Sequence, residues 1–508
     1  MSASAGGGVG QPHSIKRNTA LSLAVQLTGA AFTAIIVIFL ARRLGTHGYG
    51  VFSLALGIAS LVLLPSDFGT SNSVARFVAE HRLERDRVQA VVADGLRLKF
   101  LVALVFAVLL AVLAEPIAQA YGIPAATWPL RVMALALFAN SVMLIGVVFT
   151  AIGRVDMQLR TAFAESAVEL IASIVLVWAG AGATGAALGR AAGYFVGAAA
   201  TIFLLARALG PGILPRSVRF GVETRRIAGY AGILLIVDGA YTAFTQIDVL
   251  VIGAYLGASA VGIFSAPIKL TVLLTYPGSA VSSGVAPRLA RGLPGGPNVQ
   301  AFGTGLRVLL IVQAAITAFI LGWAPLMVRV VLGPHYHESA SVLRALAPYI
   351  FLSGFGALVS LSANYLGEAR RRVPVALITV VINLVVDVVL VPRIGVIGGA
   401  WGTDAAFALY ALAHLRICQR ALGIDLRPTG ASFARTALAG AAMTGVLLLF
   451  GDSLGHVART VAGGVLGLIV FCFVLWLTRE VTGPEVRTVL GGRRPPRPMA
   501  QGKMEAER

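Results

Sequence analysis

The chain has 508 residues, of which 57% are hydrophobic and 12% are charged. Soluble globular proteins carry about 25% charged residues, so this composition excludes an ordinary soluble enzyme, a disordered chain and a collagen-like repeat. It fits an all-α polytopic membrane protein. The 41 Lys and Arg outnumber the 22 Asp and Glu, an excess that in a membrane protein is typical of cytoplasmic loops rather than of nucleic-acid binding.

The first apolar segment predicts a membrane helix. The uncharged run 20–41 has 22 residues, or about 33 Å of α-helix, which is enough to cross a bilayer and longer than a signal-peptide core. Similar segments recur to the end of the chain, separated by turns rich in Gly and Pro. The fourteen predicted spans are 19–43, 49–79, 91–114, 128–150, 161–180, 184–208, 227–255, 261–288, 303–326, 340–364, 373–392, 396–420, 432–451 and 457–478.

Basic residues are distributed unequally between the two ends of these spans. Of the 41, 28 lie on the side where the chain begins and five lie on the other side. Cytoplasmic loops carry the excess of Lys and Arg in membrane proteins. The pattern therefore predicts that both termini are cytoplasmic, which requires an even number of spans.

Motifs that often mark cofactor or metal sites do not predict one here. Cys418 and Cys472 lie in apolar segments, which argues against a disulfide or a cysteine metal site. Residues 180–185 match G-x-G-x-x-G, but no strand precedes them, so a dinucleotide site is rejected. His335 and His337 lie in a predicted outer loop, and we interpret them as solvated side chains. No metal and no resident cofactor are expected.

The sequence contains an internal duplication. Shifted by 212 residues, segment 44–76 matches segment 256–288 at nine of 33 positions without a gap. Low complexity explains such matches poorly, because they include Gly, Pro and Arg positions. The pairs at this offset include Gly45 with Gly257, Gly50 with Gly262, Pro65 with Pro277 and Arg76 with Arg288. At an offset of 213, Gly185 pairs with Gly398 and Gly189 with Gly402.

The duplication predicts two six-helix halves followed by two C-terminal helices. Because six is even, both halves enter the membrane in the same direction, as parallel repeats. Pro65 and Pro277 fall inside the second and eighth spans, where each predicts either a static kink or a moving hinge. The predicted segments are a cytoplasmic tail 1–18, a first half 19–208, a cytoplasmic linker 209–226, a second half 227–420, two extra helices 432–478 and a basic disordered tail 479–508.

Several short motifs occur at corresponding places in the two halves. The first half contains 40–45 (Leu-Ala-Arg-Arg-Leu-Gly), 49–53 (Tyr-Gly-Val-Phe-Ser) and 67–69 (Asp-Phe-Gly), and the second contains 261–265 (Val-Gly-Ile-Phe-Ser), 286–288 (Ala-Pro-Arg) and a Pro/Gly turn at 392–400. These motifs resemble the polysaccharide transport family of the multidrug/oligosaccharidyl-lipid/polysaccharide exporter superfamily. The resemblance covers roughly 14–425.

The resemblance implies a flippase and not an enzyme. The implied cargo is a lipid-linked oligosaccharide on a polyprenyl diphosphate, moved by alternating access from the inner to the outer leaflet of the bacterial plasma membrane during cell-surface polysaccharide synthesis. Such cargo needs a protein, because charges and unpaired polar groups are costly in hydrocarbon. Polysaccharide polymerase machinery is a further implied partner, and the basic tail predicts contact with anionic lipids. Protons, sodium and the membrane potential are all open as the energy source.

Charged residues inside the spans are the sharpest candidates for a site, because they are costly unless paired or hydrated. Asp238, Asp248 and Lys269 lie in the seventh and eighth spans, and their repeat counterparts are uncharged. They predict either a cargo or coupling-ion site or an Asp–Lys pair that locks two helices together. Asp67, in the Asp-Phe-Gly motif, joins the predicted substrate cavity.

Two other charged groups have alternative interpretations. Arg76 and Arg288 lie near cytoplasmic span ends, where they either contact the diphosphate or extend to lipid headgroups. Glu165 and Glu169 share one face of the fifth span, and form either a proton-coupling site or an ion pair with Arg190 of the sixth span. Two aspartates in later spans are interpreted as cavity-facing or paired: Asp387 and Asp404.

Two other functions remain open. A small-molecule or multidrug exporter of the same superfamily would share the fold. A membrane glycan polymerase or ligase would need a substantial outer loop with acid and base residues. The predicted outer turns are short and the chain is duplicated, which favours a transporter.

Overall fold

The computed structural model describes residues 15–67, 69–214, 222–271, 274, 276–290, 296–451 and 457–481. Within these ranges the regular structure is entirely helical. The α-helices are α1 (Ile15–Asp67), α2 (Thr70–Glu80), α3 (Arg85–Ala120), α4 (Thr127–Met143), α5 (Val148–Ala151), α6 (Val155–Trp178), α7 (Gly182–Leu209), α8 (Val222–Thr271), α9 (Tyr276–Val285), α10 (Val299–Val331), α11 (Ser339–Ala345), α12 (Ala347–Tyr365), α13 (Ala369–Ile394), α14 (Val396–Leu422), α15 (Arg427–Phe450) and α16 (Val457–Leu477).

Two of these helices are too long for a single membrane crossing. α1 has 53 residues and α8 has 50, whereas about 20 residues cross a bilayer. Each is broken at a glycine with positive φ, at Gly45 (φ 66°, ψ −175°) and Gly257 (φ 80°, ψ −174°). These repeat-related positions share one backbone conformation, which glycine adopts readily. Each helix therefore provides two crossings.

Together, the described helices account for all fourteen predicted spans. α1 and α8 each contain two crossings, and four spans are built from consecutive pieces: the second, fourth, eighth and tenth. In the tenth span, α11 and α12 meet at an angle of 47°. The predicted linker is shorter than expected, because α8 begins at Val222 and not at 227.

The two repeat-related prolines lie close to helix ends in the second and eighth spans. α1 ends at Asp67, two residues after Pro65, and Gly69 has a left-handed φ of 65° before α2 begins. In the second half α8 ends at Thr271, and Pro277 is the second residue of α9. The expected interruption is therefore present after Pro65. Residues 272, 273 and 275 lie outside the described part of the chain, so the kink at Pro277 stays a prediction, as does hinge motion at both prolines.

Apolar side chains cover the outside of the bundle and many polar side chains lie inside it. Val112 on α3, Ile171 on α6 and Leu449 on α15 are 69%, 63% and 77% exposed, whereas Lys99 and Asp387 are fully buried. Exposing this much apolar surface is unfavourable in water and favourable in the hydrocarbon core of a membrane. The chain is therefore a multi-pass membrane protein.

The two extra helices are fixed to the second half through Glu480. This residue follows α16 and is 2% exposed, although it lies in the segment expected to be a disordered tail. Its Oε1 accepts a hydrogen bond from Arg307 Nε on α10 (2.9 Å), and its Oε2 accepts one from Arg435 on α15 (3.2 Å). The expectation of a disordered tail from 479 is wrong for 479–481, because two guanidinium groups hold this carboxylate.

The two halves approach most closely at a pair of repeat-related glycines. A Cβ on Gly50 would lie 1.7 Å from the carbonyl oxygen of Ala258, and one on Gly262 would lie 1.9 Å from that of Thr46. Only glycine allows α1 and α8 to cross this closely. The crossing lies at the span ends opposite the side where α1 begins, and we call Gly50 and Gly262 the outer gate.

Side chains from both halves reinforce the outer gate. The hydroxyl of buried Tyr336, between α10 and α11, donates to the carbonyl oxygen of Gly45 (3.0 Å). Arg42 of α1 donates from Nε to the carbonyl oxygen of Val331 (2.9 Å). Burial raises the pKa of the Tyr336 phenol, so it remains a donor at neutral pH. The two halves are thus joined at this end of the spans by backbone contact and by hydrogen bonds.

We expect Gly262→Leu to open the outer gate, because its side chain overlaps the backbone at Thr46. In a variant without native cysteines, a membrane-impermeant maleimide should label Tyr49→Cys at least about tenfold faster once Gly262 is replaced. Gly303→Leu is the matched control, since a Cβ there meets nothing within 4 Å. Equal labelling with and without the Gly262→Leu change would contradict closure by glycine contact.

Candidate functional site

A cavity of about 610 Å³, with several polar side chains in a largely apolar wall, lies in the first half, and we call it the first cavity. It is located toward the side where α1 begins, because its walls come from the last turns of the second crossing and the first turns of α6. α8 closes it from the second half. The polar residues in its wall include Ser60, Asp67, Gln158, Glu165, Thr242 and Gln246.

Asp67 forms the most deeply buried ion pair of the first cavity. Lys99 of α3 is 0% exposed and donates from Nζ to Asp67 Oδ1 and to the carbonyl oxygen of Ser141 (2.8 Å). Ser71 Oγ donates to the same Asp67 oxygen at 2.6 Å. Asp67 therefore lies in the cavity wall, as predicted, but it is neutralised. The sequence analysis did not predict Lys99 as a site residue, although a lysine in the middle of the third span indicates a paired or functional charge.

The structure pairs Arg190 with Glu169 and leaves Glu165 in the wall of the first cavity. The Arg190 guanidinium donates to Glu169 Oε2 and lies 4.6 Å from the centre of the Tyr194 ring. Gly193 allows this approach, because a Cβ there would lie 2.8 Å from the Cβ of Glu169. The expected ion pair is present, and proton coupling at Glu165 stays a prediction.

Lys269 of α8 lies within electrostatic reach of Arg190 of the first half. Among the described residues it has no hydrogen bond or ion pair, and it is close enough to Arg190 for the two charges to repel. The Asp238 side chain lies outside the described residues, so the Asp–Lys pair remains a prediction. Arg190 of the first half and Lys269 of the second thus influence each other electrostatically across the halves, and the Arg190 charge is already paired with Glu169.

Arg76 and Arg288 are not brought to the first cavity. Both are exposed at the span ends on the side where the chain begins. The Arg76 guanidinium lies 5.8 Å from the centre of the Phe77 ring. Arg288 lines a separate surface cavity of about 650 Å³. Their predicted contact with diphosphate and its alternative, contact with lipid headgroups, both stay open.

A second polar site joins α8, α13 and α14 inside the second half. Asp248 accepts hydrogen bonds from Asn383 Nδ2 (2.8 Å) and Thr403 Oγ1 (2.9 Å). Asn383 Nδ2 also lies 3.2 Å from Asp387 Oδ2. All four residues are at most 2% exposed. We call Asp248, Asn383, Asp387 and Thr403 the polar cluster; Asp248 was predicted, and the other three were not identified as one site.

The polar cluster contains two buried carboxyl groups with no described cation beside them. Neither aspartate forms an ion pair with a described basic residue, and Asp387 Oδ1 and Asn383 Oδ1 lack hydrogen-bond partners. The first half has a cation at the corresponding place, and the second half does not: at the offset of 213, Thr403 occupies the position that corresponds to Arg190. Oxygen ligands of this kind suit a proton or a hard cation.

A family model described as "Polysaccharide biosynthesis protein" matches residues 15–292, which is more than half of the chain. The chain belongs to this polysaccharide biosynthesis protein family. The family expected from the sequence motifs is therefore confirmed, and the matched region contains the first half, the outer gate and Lys269.

Comparison with individual proteins extends the similarity over most of the chain. The "Probable low-salt glycan biosynthesis flippase Agl15" of Haloferax volcanii is 21% identical over 462 residues, covering 89% of this chain and 94% of that protein. The lipid II flippase MurJ in an inward closed conformation superposes with a TM-score of 0.73 at 14% identity, over 91% of this chain and 100% of MurJ. An inward-facing multidrug resistance transporter of the MATE family superposes with a TM-score of 0.62 at 17% identity, over 77% of this chain and 94% of that transporter. The fold is that of these transporters.

We expect Asp67→Asn to destabilise the protein, because it leaves the Lys99 ammonium buried without a counter-charge. Breaking a buried pair costs about 3 kcal/mol or more, so the melting temperature in detergent should fall by several degrees. The double variant Asp67→Asn/Lys99→Met removes both charges and should recover most of the loss. A double variant no more stable than Asp67→Asn would contradict the pairing.

Proposed function

We propose that the protein is a flippase for a lipid-linked oligosaccharide carried on a polyprenyl diphosphate. The observation that carries the proposal is the first cavity, which has several polar side chains in its wall and lies behind the closed outer gate, on the side where the chain begins. The polar head of such a lipid can leave water only where polar groups of the protein replace its hydrogen bonds to water. The names of Agl15 and MurJ, which are flippases for a glycan pathway and for lipid II, support the same cargo class.

Lys269 of the second half is suited to the diphosphate of this cargo, whereas Arg190 of the first half is already paired with Glu169. Lys269 has no described counter-ion, and a phosphate would relieve its repulsion with Arg190. The polyprenyl tail can stay in the lipid while the head enters the cleft. Opening of the outer gate, with bending beside Pro65 and Pro277, would then release the head to the opposite leaflet by alternating access.

The direction of transport follows from the basic residues. Since 28 of 41 lie on the side where the chain begins, that side is proposed to be the cytoplasm of a bacterial cell and the membrane to be the plasma membrane. The first cavity then faces the leaflet where the cargo is made. Anionic lipids would contact the basic segments, and polysaccharide polymerase machinery would receive the product.

The polar cluster is proposed to couple transport to a monovalent cation, either a proton or sodium. In the first half Arg190 supplies a fixed positive charge at this position. In the second half Thr403 supplies none, so a mobile cation can neutralise Asp248 and Asp387. Binding and release of that cation would change the packing of α8 against α13 and α14, which is the change a gradient can drive.

The flippase proposal is tested with purified protein in liposomes. A fluorescent polyprenyl-diphosphate oligosaccharide should become accessible to an impermeant quencher faster than in protein-free vesicles. Lys269→Gln should slow this by about tenfold, the cost of one charge-assisted contact. The control Arg393→Gln removes an exposed charge at the opposite span end and should keep the rate. Transport of cationic dyes without movement of the glycolipid would instead support a drug exporter.

The coupling proposal is tested by imposing sodium or proton gradients on the same liposomes. The flipping rate should respond to one of the two gradients, and Asp387→Asn and Asp248→Asn should both abolish that response. Asp404→Asn is the matched control, because this aspartate accepts a hydrogen bond from the Tyr349 amide (2.8 Å) outside the polar cluster. A gradient response that survives both cluster variants would contradict the assignment.

A further inference from the structure

A second, smaller cavity of about 280 Å³ lies within the second half. α8 separates it from the first cavity: Thr242 and Gln246 line the first, whereas Tyr241 and Phe244 line the second. Tyr241 is 64% exposed, so the α8 side of this cavity is not sealed. The remaining walls come from α12, α13 and α14, and we call this space the second cavity.

One arginine dominates the polar wall of the second cavity. Arg372 donates from Nε to His414 Nε2 (3.3 Å), and its terminal nitrogens donate to Ser360 Oγ (2.6 Å) and to Asn364 Oδ1. His414 Nδ1 lies 2.8 Å from the Tyr410 carbonyl oxygen. That carbonyl can only accept, so Nδ1 carries the hydrogen and Nε2 accepts from Arg372. A histidine that accepts at Nε2 is neutral.

The positive charge of Arg372 is therefore fixed in position but not neutralised. Its three acceptors are an imidazole, a hydroxyl and an amide, and among the described residues it forms no ion pair. The nearby carboxylate of Glu368 pairs with Arg371 at 3.2 Å instead. Arginine has five N–H donors, so hydrogen bonds to three acceptors leave donors for a ligand. A fixed, uncompensated cation in a cavity wall is suited to an anion.

The other walls of the second cavity are aromatic. Phe407 and Tyr410 stack with ring centres 5.3 Å apart, and Phe244 lies 5.9 Å from Phe407. Aromatic rings pack against the C–H face of a sugar ring, and polar groups at one end then fix its orientation. The volume is of the size of one sugar residue. A single positive charge matches one negative charge, whereas a diphosphate carries more.

We propose that the second cavity binds one sugar residue of the cargo that carries a single negative charge, a carboxylate as in a uronic acid. The inference rests on the proposed flippase function and narrows its substrate to glycans with an acidic sugar. The carboxylate meets the free N–H groups of Arg372, and the ring lies against Tyr410 and Phe407. The first cavity and the second cavity would then hold different parts of one cargo molecule.

The test measures binding of a free sugar, so that its result does not depend on transport. Glucuronate, glucose and inorganic phosphate are added separately to the purified full-length protein in detergent, and the melting temperature is followed. Glucuronate should stabilise the wild-type protein, and Arg372→Gln should weaken its apparent affinity by about tenfold or more. Arg372→Lys, which keeps the charge, should retain part of the effect. The control Arg371→Gln changes the neighbouring paired arginine and should bind as wild type does.

Three results would overturn the proposal. The first is equal stabilisation of wild type and Arg372→Gln by glucuronate, provided that the variant unfolds cooperatively. The second is equal stabilisation by glucose, which would remove the role of the charge. The third is stabilisation by phosphate as strong as that by glucuronate, which would indicate a site for simple anions. In each case flipping of a neutral glycolipid would still be observed, so the flippase proposal would stand independently.

Discussion

The crossing of α1 and α8 at Gly50 and Gly262 is the constraint on which the rest of the structure depends. Carbonyl oxygens would lie within 2 Å of a Cβ at either position, so the two halves can meet there only through glycine. This contact closes the space between the halves at one end of the spans, and the first cavity lies toward the other end. Because the two glycines are equivalent by duplication, the contact joins corresponding positions of the two halves.

Because the two halves have the same helix packing, the differences in charge between their equivalent positions are informative. Gly189 and Gly402 occupy equivalent positions: a Cβ on either would collide with the facing helix, at Ser173 in the first half and at Asp387 in the second. The helix pairs α6–α7 and α13–α14 are therefore built alike. Within this common frame the first half places Arg190 where the second places Thr403. One half thus contains its own cation, and the other has carboxylates whose charge must be balanced from elsewhere.

The fold was largely predictable from the sequence, and the site was predictable only in part. Span number, repeat offset and helix breaks follow from apolar length and from Gly and Pro positions, which act locally along the chain. The pairing of buried charges does not follow from such local features, because Lys99 and Asp67 are 32 residues apart and belong to different helices. The same holds for Asp248 and Asn383, which are 135 residues apart. An embedded charge indicates a site, but only the packing of helices shows whether its partner is a protein residue.

Sequence order also places the second cavity and the polar cluster on the same two helices. On α13 Arg372 is followed by Asn383 after three turns, and on α14 Thr403 is followed by Tyr410 after two. Phe407 lies between the two sites, with its ring against Phe244 of α8. A cation that draws Asp248 of α8 toward Asn383 and Thr403 would therefore shift the aromatic wall against which the sugar is proposed to pack. Energy coupling and cargo binding would in this way share one interface, the packing of α8 against α13 and α14.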